Sequence, residues 1–157
     1  MKTKTTIHFR RPSFGKYTRS FDRQSIKRGD HVLEIGTGWG SFAIEAVRTT
    51  GCHVTSLTLS SEQKIEAERL VFAAGLTENI DILLEDYRAL VMHGKMFDKV
   101  VSIEMLEHVG KDHLVEYFRI VHEVLKRKGG IAVFQTTTVP ESVRSWLLAL
   151  GMILLTG

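Results

Sequence analysis

The stretch His31-Val-Leu-Glu-Ile-Gly-Thr-Gly-Trp-Gly40 constrains this chain more than any other. A short apolar-rich run to Ile35 is followed by glycines at every second position, Gly36, Gly38 and Gly40. Ser41 to Arg48 then carries an apolar helical pattern that stops at Gly51. This is the order strand, tight turn, helix. Glycine suits such a turn because it reaches backbone angles closed to other residues. It also leaves no side chain between the backbone and a ligand lying over it. The free N–H groups at the helix start would face the crevice beyond the strand's carboxyl end.

Two cofactor classes use this device. A dinucleotide site asks for G-x-G-x-x-G and a carboxylate at the end of the second strand. Here the spacing is G-x-G-x-G, the second strand ends in Leu57-Thr-Leu-Ser60, and no carboxylate follows until Glu62. An acidic residue, Glu34, instead stands two places before the first glycine. That combination resembles the first motif of the class I methyltransferases, which bind S-adenosylmethionine (SAM).

The rest of the chain repeats the alternation. Gly29-Asp30 is a turn into the first strand, His31 to Ile35. Cys52 to Thr58 is rich in β-branched residues and reads as a second strand. Ser60 to Ala74 reads as a helix, with Ser60 and Gln63 at the spacing of a capping box and Gly75 at the far end. Ile80 to Leu84 is a third strand, followed by Glu85-Asp86-Tyr87. Phe97 to Ile103 is a fourth. Asp112 to Lys126 reads as a helix with Leu114, Phe118, Val121 and Leu125 on one face. Lys126-Arg127-Lys128 suits the negative end of its dipole, and Gly129-Gly130 ends it. Ile131 to Gln135 is a fifth strand. Alternating strands and helices imply an α/β, Rossmann-like, doubly wound parallel sheet. The residues just beyond each strand then form the site.

Composition sets outer bounds. With 157 residues, 43% apolar and 25% charged, the chain is long enough for one domain with a sizeable core. The single cysteine, Cys52, excludes an intramolecular disulfide framework, suits a reducing compartment and reads as buried packing. The net charge of +3 conceals an asymmetry. Residues 1–28 hold nine Lys/Arg and one acid, Asp22, whereas the remainder holds twelve Lys/Arg and seventeen acids. Residues 1–28 therefore read as a basic arm ahead of a domain spanning 29–157. The arm lacks the apolar run of a secretory signal. Three readings stay open for it: a solvated arm, a patch that meets anionic membrane surface, and an organelle transit segment. A cytoplasmic chain is the expectation, with peripheral contact with a membrane and organelle import both left open. Nucleic acid is not expected as a partner, and the sequence is silent on oligomeric state.

Several segments together resemble one family. Val32 to Gly40 is similar to V-L-(D/E)-I-G-x-G-W-G, and Val54 to Gln63 to V-T-G-x-T-L-S-x-x-Q. Glu85 to Arg88 resembles x-D-Y-R, and Val101 to Gly110 resembles V-S-I-x-M-x-E-x-V-G. These are patterns of the cyclopropane fatty acid synthase family, which includes the mycolic acid cyclopropane synthases. The resemblance covers roughly residues 27–141. It implies methyl or methylene transfer from SAM to the double bond of an unsaturated phospholipid acyl chain, through a carbocation that loses a proton. The sulfonium makes the methyl electrophilic, so the protein's task is alignment in a dry site.

The resemblance also assigns roles. Glu34, Gly36, Gly38 and Gly40 would line the methionine and ribose parts of SAM. Thr58, Leu59 and Gln63 would approach ribose and adenine. Asp86 would accept from the adenine amino group with Tyr87 beside the ring, and Ile103 would lie at the adenine or sulfonium side. Glu107 would be the catalytic carboxylate that helps hold a bicarbonate ion near the cation. His108 reads as structural or surface. Glu104, Glu107, His108 and His113 match no tight ligand spacing, so no metal is expected.

The chain departs from the family at both ends. A tyrosine–serine–cysteine stretch usual near the N-terminus is not recognisable in residues 1–26, and a histidine often found on strand five is Gln135 here. The match ends near Glu141, where relatives continue into further strands, an aromatic lipid-binding region and another catalytic tyrosine. The last strands of the fold are therefore expected to be missing. Ser145 to Leu155 is apolar but short of the ~20 residues that span a bilayer. It reads either as a helix over strand five or as a divergent end. Two alternatives to lipid methylation remain: a SAM-binding fragment without turnover, and a methyltransferase for a small soluble acceptor.

Overall fold

A computed structural model describes residues 26–136. Most of the basic arm and the apolar C-terminal stretch, Glu141 and Ser145–Leu155 included, lie outside the described residues. Five strands form one sheet: β1 (His31–Ile35), β2 (His53–Thr58), β3 (Ile80–Leu84), β4 (Lys99–Ile103) and β5 (Ile131–Gln135). Their order is β3-β2-β1-β4-β5, and every pairing is parallel. The chain thus steps outward from β1 to β3, then returns to β1's other side. The reversal between β1 and β4 opens the crevice where open α/β sheets bind ligands. The doubly wound fold expected from the alternation is the observed one.

Helices cover both faces. They are α1 (Ser41–Thr50), α2 (Ser61–Ala73), α3 (Leu90–His93), α4 (Leu106–Val109) and α5 (Leu114–Val124). Side chains on β1 alternate between two buried clusters. Val32 joins Ala43, Val47, Ala67 and Val71 on the α1/α2 face. Leu33 and Ile35 join Tyr117, Ile120 and Phe134 on the α5 face. Near-continuous apolar strands such as β1 and β4 are what a sheet buried on both faces requires.

The differences from expectation have local causes. β4 begins at Lys99, because Phe97 pairs instead with Leu125 in an isolated parallel bridge. That bridge also ends α5 early: Leu125 is extended, with φ −87° and ψ 131°. Lys126 therefore lies past the helix end rather than in its last turn, and its Nζ pairs with Asp98 Oδ1 at 2.8 Å. The buried face of α5 is Tyr117, Ile120, Val121 and Val124, while Leu114 and Phe118 pack at its margin. The expected stripe, Leu114, Phe118, Val121 and Leu125, does face this core, and the buried face is wider than the stripe because Tyr117, Ile120 and Val124 join it. Cys52 is buried on the α1/α2 face, and burial pushes its thiol pKa up.

Candidate cofactor site

The glycine turn is fastened to β2. Gly36 and Thr37 both donate their N–H to Leu57 O, at 3.0 and 2.9 Å. The three glycines then serve separate ends. Gly36 has φ 100°, and a Cβ there would stand 2.7 Å from Met105 Cγ. Gly38 has φ 52° and open space where a side chain would be. Gly40 caps α1 at φ 79°, and a Cβ there would meet Ala67 Cβ at 3.2 Å, so α2 packs closely onto the turn. The first turn of α1 carries neither a side-chain cap nor an acidic residue.

Beneath the turn lies a buried acid. Glu34 is 2% exposed, and its carboxyl oxygen sits 2.5 Å from Ser56 Oγ, which is 2.7 Å from Thr37 Oγ1. Burial pushes the Glu34 pKa up to about 8, against a smaller opposing effect of the Ser56 bond. Glu34 supports the turn from below rather than facing the crevice.

The end of β2 is organised by hydroxyls. Ser60 accepts from Gln63 N at 3.1 Å, as the capping-box spacing predicts. The reciprocal half is relayed, however. Ser60 N donates to Thr58 Oγ1 at 3.1 Å, and the Thr58 hydroxyl donates to Gln63 Oε1 at 2.7 Å. Gln63 presents its oxygen to Thr58, and its amide NH2 takes no part in that bond. Capping and ligand binding are compatible in this arrangement.

A cleft of about 330 Å³ opens at this end of the sheet. Its floor and one wall are Ile35, Gly36, Leu57, Thr58, Leu59 and Gln63. Glu85, Asp86, Tyr87 and Arg88 follow β3, and Met105, His108 and Val109 follow β4. Asp86 Oδ1 accepts from Arg88 N at 2.9 Å, which starts the 3-10 turn Tyr87–Ala89. The Tyr87 ring meets that of Tyr117 edge-on at 4.8 Å, and the Arg88 guanidinium lies 5.4 Å from the Tyr87 ring centre. The rim carries a Glu85–His93 pair at 3.0 Å.

Six of the sequence-selected residues therefore share one cleft: Gly36, Thr58, Leu59, Gln63, Asp86 and Tyr87. Glu34, Gly38 and Gly40 belong to the turn's support and course, outside the lining. Ile103 ends β4 and packs toward the α1/α2 cluster. Glu107 is half-buried on α4, two residues past Met105. His108, read from sequence as structural or surface, lines the cleft. Met105 was not singled out, and a lone methionine gives no signal until its contact with Gly36 is known. Glu104 is a non-glycine residue at φ 54°, which marks the β4 end as conformationally constrained. Among the described residues no group of three or more His, Cys, Asp or Glu is placed to hold a metal ion, and no helix is long and apolar enough to cross a membrane.

The SAM expectation can be tested on this geometry. A flat adenine needs an acceptor for its amino group and an apolar wall, and Asp86, Tyr87 and Leu59 supply them. Ribose hydroxyls need partners, and the amide of Gln63, which lines the cleft, would be one. The methionine end needs backbone donors without side chains over them, which Gly36 and Gly38 provide. The residues present fit the cofactor.

Comparison with known proteins agrees. The family model for mycolic acid cyclopropane synthetase matches residues 5–147, so the family pattern reaches into the basic arm. A tuberculostearic acid methyltransferase of Mycobacterium tuberculosis is 42% identical over 125 residues, covering 80% of this chain and 28% of that protein. A cyclopropane-fatty-acyl-phospholipid synthase of Escherichia coli is 38% identical over 109 residues, covering 69% and 26%. Among solved structures, the mycolic acid cyclopropane synthase CmaA1, complexed with S-adenosylhomocysteine (SAH) and CTAB, superposes with a TM-score of 0.63. It shares 25% identity, over 76% of this chain and 41% of that one. The chain spans about a quarter of the length of these curated relatives.

Proposed function

We propose, from the premise that the chain belongs to the mycolic acid cyclopropane synthetase family, that it binds SAM in the cleft beyond β1, β2 and β3 and takes part in methylating unsaturated acyl chains of phospholipids. The observation that carries this reading is the convergence of Gly36, Thr58, Gln63, Asp86 and Tyr87 on one cleft. When bound, SAM supplies a methyl group already made electrophilic by the sulfonium. The chain's own residues bind and orient. Gly36, Gly38 and Gly40 shape the backbone cradle, with Glu34 as its buried support. Thr58 turns Gln63 toward ribose, Leu59 and Tyr87 cover adenine, Asp86 accepts from its amino group, and Ile103 backs the sulfonium side.

On the acceptor side the reading places Glu107 as the catalytic carboxylate. It stands in the first turn of α4, beside the cleft residues Met105 and His108. A carboxylate there would accept from the hydroxyl of a bicarbonate ion held beside it. Which carbon the cation loses its proton from decides between a cyclopropane and a methylene or methyl-substituted alkene, and a saturated methyl branch would need a separate reductant. The basic residues of the arm, Lys27 and Arg28 among them, are proposed to meet anionic headgroups.

The test is a calorimetric titration of SAM into the full chain, with Gly38→Val as control. Micromolar binding that the variant loses is the expected result. Methyl-labelled SAM and vesicles of unsaturated phospholipid then report transfer, with binding to anionic vesicles falling as salt rises. Binding without transfer identifies a cofactor-binding portion that needs more of the protein. Transfer only to soluble acceptors overturns the lipid reading. No binding by the folded chain overturns the cofactor reading.

A further inference from the structure

We propose that Ser56 is a positioning residue for the cofactor cleft, which acts through Thr37 and Glu34 to hold the glycine turn against β2. The proposal rests on the SAM reading of the cleft.

Ser56 and Glu34 are direct partners in the parallel register of β1 and β2, so their side chains emerge on the same face of the sheet. Ser56 is fully buried, and its hydroxyl stands between two others: 2.5 Å from Glu34 Oε2 and 2.7 Å from Thr37 Oγ1. Thr37 lies within the turn itself, between Gly36 and Gly38, and is 3% exposed. The backbone already ties Gly36 and Thr37 to Leu57 O. Ser56 adds a side-chain tie from the neighbouring residue of the same strand. The turn is thus held on β2 at two depths.

A serine hydroxyl has one hydrogen, which gives the connection a direction. With Glu34 ionised, Ser56 donates to the carboxylate and accepts from Thr37. With Glu34 protonated, the carboxyl donates to Ser56 and Ser56 donates to Thr37. The charge state of Glu34 therefore sets which way the Thr37 hydroxyl points inside the turn. Burial favours the protonated form and the Ser56 bond favours the ionised one. No charged side chain from α1, α2, β2 or β4 contributes to this balance. Ser56 is thus placed where it can tune how firmly the turn receives a cationic cofactor.

The experiment is SAM titration into the full chain, from about pH 6 to about pH 9, for the wild type, Ser56→Ala, Thr37→Val and Glu34→Gln. Ser56→Ala is expected to weaken affinity roughly three- to tenfold, because it removes the hydroxyl that bonds both Glu34 and Thr37. A cationic cofactor favours ionised Glu34, so wild-type affinity rises through the Glu34 titration. Without its donor the carboxylate ionises at higher pH, so this rise moves upward in Ser56→Ala. It vanishes in Glu34→Gln. A merely structural loss would lower affinity without moving the profile. If Ser56→Ala stays folded, binds within twofold of wild type and keeps the same profile, the proposal is overturned. Should Ser56→Ala fail to fold, Thr37→Val breaks the same connection from the turn side, and unchanged affinity there overturns it equally. Absent binding by the wild type defeats the cofactor reading itself, a result distinct from normal binding by all variants.

Discussion

The Thr58 hydroxyl donates to Gln63 Oε1 at 2.7 Å while accepting from Ser60 N at 3.1 Å. One side chain thus closes the β2 end, starts α2 and aims the Gln63 amide. Thr58→Val keeps the shape and removes the hydroxyl. Affinity for SAM is expected to fall about tenfold, and stability by about 1 kcal/mol through the weakened helix start. Calorimetric titration and urea unfolding separate the two effects. A variant that binds SAM as tightly as wild type would show that Gln63 is oriented by something else.

Gly36 is constrained twice, by φ 100° and by Met105, whose Cγ and Sδ would lie 2.7 and 2.9 Å from an added Cβ. Gly36→Ala is expected to cost about 1–3 kcal/mol of stability and to weaken SAM binding at least tenfold. Met105→Ala in the same chain relieves the packing conflict and leaves the backbone strain. Partial recovery of thermal stability is therefore the expected outcome. Full recovery would mean that the positive φ imposes no cost.

Glu34 gives a pH dependence of stability with a definite sign. The unfolded chain loses this proton near 4.5, whereas the folded chain holds it up to about 8. Between those values folding takes up a proton, so the Glu34 contribution to stability falls as pH rises through that window and levels above it. Glu34→Gln removes the dependence. Its advantage over wild type should grow across the window, reaching on the order of a few kcal/mol at the upper end. Urea unfolding at about pH 5 and about pH 8 measures it, and equal slopes for both proteins would refute the assignment.

Tyr117 is fully buried, and its hydroxyl donates to Ser102 Oγ at 2.7 Å, with desolvation pushing the phenol pKa up to about 12. Tyr117→Phe should cost about 1–2 kcal/mol, because Ser102 loses its donor in the core. Ser102→Ala should cost a similar amount from the other side. The double variant should cost less than the two together, as a double-mutant cycle by chemical unfolding will report.

The sequence was most legible where a residue's purpose is local. β1, β3 and β5 fall on their expected residues, since apolar runs bounded by turn residues leave little freedom. Ser60 caps α2 as its spacing to Gln63 implied. Purposes that depend on distant partners were not legible. Nothing near Leu125 announces its bridge to Phe97, and so nothing announces that α5 stops at Val124. The one-turn helices α3 and α4 are too short for a periodic signal. Three glycines were visible, but the closeness of Met105 to one and of Ala67 to another was not. Ser56 became meaningful only once parallel register set it opposite Glu34.

That register has a consequence in time. In a parallel sheet no strand can pair with its neighbour until a crossover has been completed, and β1 must also wait for β4. The glycine turn leaves the ribosome early, and β2, the strand that anchors it, emerges next. Met105, which lies over Gly36, emerges only after β3, β4 and their connections. During synthesis Gly36 therefore emerges well before the side chain that covers it. A nascent chain halted before β4 would lack the part of the cleft lining that Met105, His108 and Val109 supply.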